Sequence, residues 1–391
     1  MYRQPASFQK GMRIIRNNRY SVLSRLMIDE QLYMRMPVMK RGKGPYLYDY
    51  DENRFVDFEL GEGSLLLGHA PPYLTSVMKA WLGRGFSSGY SSSSHRLLSK
   101  SIHEVIYKKS ENDLQFIYAD SVYQAAAMLL ELLSKEGKQS RGVYVHNRKK
   151  NTQGIDDAPI FYHSLKASRI DEIEDLNTDI MDCAVVRVDK SVDAGTVHNA
   201  LKWLRERNVP IIGDATAPSA FLQLTRVGEW DRHFDAVVFG SWLAAGFPFS
   251  AVAIHNPVLL EIGGGEHPRI NLDPLLETGT PPQFKLKMVQ RAIQTFQKLG
   301  GFTALLDKHK WFCSHLDKHF FQLCEGLVCL REDDRLISEY AGLRLHLFRK
   351  GFLFPPCSAR PLALSLVHSD ELLEKSAHGI NEHMASFFQS L

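Results

Sequence analysis

Nineteen consecutive residues between Asp235 and His255, AVVFGSWLAAGFPFSAVAI, carry no charge. A run of this length suits either a membrane-spanning helix or the interior of a sheet covered on both faces. Two Gly (Gly240, Gly246), Pro248 and two Ser (Ser241, Ser250) interrupt it. That punctuation breaks a helix and suits a strand, a tight turn and a second strand. No companion span occurs elsewhere in the chain, so the segment reads as the middle of a sheet and no membrane partner is expected.

The chain before this segment alternates in α/β fashion. Short apolar runs (Gln115 to Tyr118, Gly142 to Val145, Cys183 to Val186, Pro210 to Gly213) are separated by helical stretches such as Ala125 to Leu133 and Thr196 to Arg207. The pattern predicts parallel strands with crossover helices and ligand contacts at the strand C-terminal ends. Further upstream, GKGPYLYDYDENRFVDF (Gly42 to Phe58) alternates strictly and predicts a hairpin turning at Asp51 to Arg54, and Tyr73 to Leu82 has helical spacing. Downstream, Phe284 to Leu299 is amphipathic. A helix from Phe302 to Leu323, a strand-rich segment and a helix from Glu371 to Ser386 are expected to follow it. At 391 residues the chain is long enough for a large core and a smaller companion. The division expected is an N-terminal arm and hairpin (1–60), a large domain (61–284) and a small α+β domain (285–391).

Composition narrows the function classes. With 44% hydrophobic and 23% charged residues the chain is neither disordered nor fibrous. A net charge of +3, from 47 basic against 44 acidic residues, gives no ground for a nucleic-acid partner. Five cysteines with no C-x-x-C pair fit a reducing compartment, and no apolar stretch opens the chain, so a cytoplasmic protein is expected. The first 28 residues hold six basic groups and no acid, a pattern shared by transit peptides and exposed arms.

Most local motifs carry little. Gly85-Phe-Ser87-Ser-Gly89 matches a G-x-S-x-G elbow but lacks the preceding strand and following helix that strain the hydroxyl into place, so it reads as a loop. His309, Cys313, His315 and His319 share one expected helix without an H-E-x-x-H arrangement and read as packing or surface residues; no metal is expected. Gly263 to Gly265 lacks the Lys and Ser/Thr of a phosphate loop and reads as a turn. Asp214 carries more, because it ends the apolar run Pro210 to Gly213 and so falls at the ligand edge of a central strand, where a cap or turn aspartate is the plainer alternative.

Taken in order, GPYLYDYDENRFVDF, LLLGHAPP, QFIYADSVYQAAAMLLELL, IIGDATAPSAF, FDAVVFGSWLAAGFPFSAVA and KGFLFPPCSARPLALSLVHSDELLEKS resemble the class III pyridoxal-phosphate aminotransferases. The resemblance is greatest to the glutamate-1-semialdehyde 2,1-aminomutase branch. It implies an α/β, fold-type I transferase with a mostly parallel central sheet, a smaller C-terminal α+β domain, and a homodimer. In the family a lysine in a G-K-x-x-G-G-G-x-P setting forms an imine with the cofactor, because only an amine can. The corresponding stretch here is Gly240-Ser241-Trp242-Leu-Ala-Ala-Gly246-Phe-Pro248, which places Ser241 at the lysine position, and no lysine lies between Lys202 and Lys285.

Other cofactor positions implied by the resemblance also depart from the pattern. The phosphate-holding S-G-T-E-A turn becomes Ser121-Val122-Tyr123-Gln124-Ala125, with Tyr123 expected to crowd the anion. The stretch from His146 to Gln153 offers no Phe, Tyr or Trp to stack on a pyridine. Asp214 would face the ring nitrogen, but its neighbour is Ala215, and the interface threonine falls on Thr278 or Thr280. Cofactor-contacting candidates are therefore Ser121, Val122, Asp214 and Thr280, with pyridoxal phosphate held non-covalently or lost. The expected function is a catalytically degenerate homologue kept as a binding or structural protein. The alternative is an active enzyme working without the usual lysine, through pyridoxamine phosphate or through Lys149 or Lys150.

Overall fold

The computed structural model describes residues 39–83, 93–107, 114–133, 142–146, 165–176, 181–188, 194–225, 233–255, 281–324, 326–358 and 360–390. The chain forms two compact units: Tyr73–Gln297, and the chain up to Pro72 together with Lys298–Leu391. Among the described residues no helix is long and apolar enough to cross a membrane.

The second of these units begins with β1 (Met39–Lys43), β2 (Tyr46–Asp49) and β3 (Arg54–Asp57). The hairpin expected between Gly42 and Phe58 is present, with Tyr46 opposite Val56 and Leu47 opposite Phe55. The buried Asp49 carboxylate accepts from the amides of Asp51 and Asn53, which closes the turn. After β3 the backbone makes a left-handed turn, with positive φ at Leu60, Gly61, Glu62 and Gly63. Two of these are not glycine, and each such residue costs on the order of 1–2 kcal/mol.

In the unit Tyr73–Gln297, helices α1 (Pro72–Leu82) and α2 (Ser93–Ile102) precede a seven-stranded sheet. Its members are β4 (Gln115–Ala119), β5 (Gly142–His146), β6 (Lys166–Arg169), β7 (Cys183–Arg187), β8 (Ile211–Ala215), β9 (Ala236–Phe239) and β10 (Ser250–Ile254). Their spatial order is β4-β10-β9-β8-β7-β5-β6. Every residue of β8, β9 and β10 is buried, which is why their sequences run apolar without alternation. Helix α3 (Val122–Leu133) sets Ala125, Ala126 and Leu129 in one core with Val185, Ile212, Val238 and Val252. Burying each such Val, Leu or Ile contributes roughly 1.5–3 kcal/mol. Two further helices, α4 (Ala194–Glu206) and α5 (Pro218–Leu224), flank β8 in sequence, and α6 (Gln283–Lys298) realises the amphipathic stretch.

One strand departs from the parallel majority. β10 runs antiparallel to both β9 and β4. A ten-residue connection from Gly240 to Phe249 is too short for the crossover a parallel neighbour requires, so the chain turns straight back.

The helix expected from Phe302 to Leu323 is also shorter: α7 spans Gly301–His315, and β11 (Phe321–Cys324) pairs with β12 (Leu327–Leu330). Asn381 stops the helix from outside, since its amide donates to the His315 carbonyl and its oxygen accepts from the Asp317 amide. The segment expected to be strand-rich holds α8 (Asp334–Ser338) and α9 (Tyr340–Arg349), the former capped by Asp333 on the Leu336 amide. The two-residue β13 (Phe352–Leu353) then pairs parallel with β3, and α10 (Asp370–Gln389) closes the unit. Phe55 stacks on Phe348 at 4.6 Å, which joins the hairpin to α9.

Candidate active site at the C-terminal edge of the central sheet

The sheet reverses its build direction between β5 and β7: β6 adds beside β5, whereas β8 adds beside β7 on the other side. A reversal of this kind opens a crevice at the strand C-terminal ends, where α/β folds bind ligands. His146 and Arg187 stand opposite one another there.

Asp214 lies one strand further along and is fully buried. Its Oδ1 accepts from the Thr216 amide at 3.0 Å and from Thr216 Oγ1 at 2.6 Å. Its Oδ2 accepts from the Tyr144 hydroxyl at 3.1 Å and from Arg187 Nη1 at 3.5 Å. Arg187 also donates to Thr216 Oγ1 at 3.4 Å, so arginine, threonine and aspartate close a ring of bonds. A buried carboxylate without such donors would cost several kcal/mol. Asp214 was legible as a strand-end acid. Tyr144 and Arg187 were not singled out, and their only local signal is that each is a polar interruption in an apolar strand.

Ser241 opens a single 3₁₀ turn, Ser241–Ala244, directly after β9. Gly240 lies so close to the end of β8 that a Cβ there would sit 2.0 Å from the Thr216 carbonyl oxygen. Trp242 Nε1 donates to the Ala215 carbonyl at 2.8 Å, and Ser241 accepts through its own carbonyl from the Gly246 amide at 2.9 Å. Positive φ at Ala245 and Gly246 then returns the chain toward β10. These contacts fix Ser241 beside the end of β8, at the same edge as Asp214.

Ser121 follows β4, which reaches that edge on the far side of β10. Its hydroxyl accepts from the Gln124 amide at 3.2 Å, while Gln124 Oε1 accepts from the Asp120 amide at 2.9 Å. This is a near-complete capping box built from the chain's own side chains. Val122 packs on the core, and the Tyr123 ring is 55% exposed. One residue not singled out beforehand joins the group: Lys285 of α6, whose Nζ donates to Asp120 Oδ1 at 2.5 Å and stands 5.6 Å from the Phe247 ring centre. Its signal in the sequence is a lysine on the buried side of an amphipathic helix.

Thr280, Thr278, Lys149 and Lys150 lie outside the described residues, as do the Gly85–Gly89 and Gly263–Gly265 motifs. Among the described residues no three His, Cys, Asp or Glu side chains converge as metal ligands. His309 is buried and accepts from the Val328 amide, and His319 lies beyond the end of α7.

The fold is that of the pyridoxal-phosphate-dependent aminotransferases of fold type I. An adenosylmethionine-8-amino-7-oxononanoate aminotransferase from Methanocaldococcus jannaschii superposes with a TM-score of 0.73 at 15% identity, over 97% of this chain and 99% of that one. An omega-transaminase from Sphaerobacter thermophilus gives 0.72 at 14% identity, over 98% of both chains. An ornithine aminotransferase from Toxoplasma gondii, solved with pyridoxal phosphate at partial occupancy in its active site, gives 0.70 at 16% identity over 98% of this chain and 95% of that one. No family model matches the sequence. A glutamate-1-semialdehyde 2,1-aminomutase from Alkaliphilus metalliredigens is 45% identical over 56 residues, which are 14% of this chain and 13% of the relative. The chain thus has the fold of these aminotransferases, and over those 56 residues its sequence is similar to that of the aminomutase, of which it matches 13%.

Proposed function

We propose that this chain is an aminotransferase-fold protein in which covalent cofactor chemistry has lapsed, kept as a binding protein that acts as a homodimer in the cytoplasm. The observation that carries the reading is Ser241. The turn after β9, pinned to the end of β8 through Gly240 and Trp242, presents a hydroxyl where the resemblance calls for an amine. A hydroxyl cannot form an imine.

Pyridoxal phosphate, the group found in the Toxoplasma enzyme, fits the residues present poorly at each of its ends. The ring-nitrogen acid, Asp214, already accepts four hydrogen bonds. The turn at Ser121 is capped by the chain itself, and the carboxylate of Asp120 stands immediately before it. The Lys285 ammonium neutralises that carboxylate, so the pair adds no net positive charge to a helix N-terminus whose first donors are already used. In our reading Ser121, Val122 and Asp214, and by the resemblance alone Thr280, take the positions of the family's cofactor contacts without a covalent hold on it.

The test is to incubate the purified protein with pyridoxal phosphate, reduce with borohydride and map adducts by mass spectrometry. The expected result is no stoichiometric adduct. One observation favours a second reading, an active enzyme with a relocated amine: Lys285 is buried at the same sheet edge. A stoichiometric adduct mapped to Lys285, with turnover of an amino donor, would establish that reading and overturn the first.

A further inference from the structure

We infer that Asp214 has become the internal counter-ion of Arg187, and that Arg187 determines ligand choice on the pocket floor by rejecting protonated heteroaromatic rings. The inference deepens the proposed function and rests on its premise that the cofactor seat has changed its role.

The argument begins with acceptor capacity. A carboxylate offers about four lone-pair positions, two on each oxygen. Thr216 fills both on Oδ1 through its amide and hydroxyl. Tyr144 and Arg187 fill both on Oδ2. A protonated ring nitrogen would arrive as a fifth donor and would have to displace one of these four. Displacing Thr216 breaks a local turn whose acceptor is only two residues away; displacing Tyr144 or Arg187 breaks a hydrogen bond to a fully buried carboxylate.

Charge adds to crowding. An aspartate facing a pyridine alone stabilises the pyridinium, because the anion favours the charged form. Here the guanidinium of Arg187, always cationic, contacts Asp214 Oδ2, and its side chain is only 14% exposed. Aspartate and arginine together present a neutral pair, so the ring gains no net anionic partner and meets a cation at close range where screening is weak. Neutral rings and anionic groups escape that penalty. The geometry also accounts for an aspartate at 214 beside a serine at 241: without Asp214 the half-buried Arg187 and the buried Tyr144 would lose their common acceptor.

The test uses pyridoxamine 5′-phosphate, which carries no aldehyde and cannot form an imine with any lysine, and benzyl phosphate, which has no ring nitrogen. Each is titrated calorimetrically into the full chain as wild type, Arg187→Met, Arg187→Lys and Arg187→Met/Asp214→Asn. Arg187→Met is expected to tighten pyridoxamine phosphate by roughly tenfold or more while leaving benzyl phosphate within about twofold. Arg187→Lys, which keeps the cation, should stay near wild type, and the double variant should lose the gain.

An unchanged affinity in Arg187→Met, an equal gain for both probes, or a gain that survives in the double variant would each overturn the inference. Should Arg187→Met fail to give a cooperative thermal transition, Arg187→Gln is read instead, because it removes the cation while keeping a polar side chain beside Asp214: a selective gain for pyridoxamine phosphate supports the inference and its absence overturns it. A borohydride-fixed adduct in the separate pyridoxal phosphate experiment would sink the lapsed-chemistry reading while leaving this comparison intact.

Discussion

Lys285 and Asp120, 165 residues apart in the chain, are joined by a 2.5 Å hydrogen bond at the head of α3, with the lysine 10% exposed and the aspartate 49% exposed. That asymmetry makes the two halves of the pair unequal. Asp120→Asn leaves a buried ammonium without its counter-charge and should cost about 1–3 kcal/mol. Lys285→Met leaves a carboxylate that water and the helix N-terminus can still solvate, and should cost less than Asp120→Asn. Urea unfolding of the two variants checks the order; a larger loss for Lys285→Met would show that the carboxylate is the dependent partner.

Gly240 has no room for a side chain. Gly240→Ala would bring a Cβ to 2.0 Å from a backbone oxygen, which no rotamer change relieves. We expect a loss of about 3 kcal/mol, the upper end for overpacking, because the strand ends themselves must part. Thermal denaturation against wild type measures it, and a melting temperature within error of wild type would contradict the close approach of Gly240 to β8.

Ser241→Lys alone should not restore covalent chemistry. The new amine would stand at the family's position, but Asp214 would still be occupied by Tyr144, Thr216 and Arg187, and the turn at Ser121 would still be capped by the chain's own side chains. No visible-range imine band is expected on adding pyridoxal phosphate at a few equivalents. A stable band, fixed by borohydride at position 241, would mean the rest of the pocket still accepts the cofactor.

Glu59 should make stability depend on pH. Burial raises its carboxyl from 4.5 to about 7, reinforced by Asp57 and Glu62 and opposed by Arg344 and Arg360. A raised carboxyl pKa means the folded state holds the proton more tightly. Its contribution is therefore complete below about pH 4.5 and is lost as pH rises through 7, at about 1.4 kcal/mol per unit and up to about 3 kcal/mol in all. The buried His309 and His368, lowered to about 3 and about 4, act in the opposite sense below pH 6.5, where the unfolded chain takes up protons that the folded chain does not. The difference between Glu59→Gln and wild type removes their contribution: the variant should gain on wild type as pH rises from 5 to 8. A flat difference would show that Glu59 keeps its ordinary pKa.

Much of the architecture was legible because its physical cause is local. β8, β9 and β10 are buried on both faces and so are written in mostly apolar runs, broken by Asp214 in β8 and Ser250 in β10, and α6 repeats its apolar residues at helical spacing. The early stop of α7 at His315 and the helices between Asp334 and Arg349 were not legible. The cap on α7 comes from Asn381, 66 residues away.

The same division runs through the site. The residues themselves determine that position 241 carries a hydroxyl, that a carboxylate ends the run Pro210 to Gly213, and that Gly240 and Gly246 frame the turn between. Tertiary structure alone decided what that carboxylate does, because Tyr144 and Arg187 reach it from 70 and 27 residues away, and because Lys285 arrives beside Asp120 from another helix. Hydrogen-bond acceptors are shared out by distance in space, so an acid's chemistry follows from which donors the folded chain delivers to it.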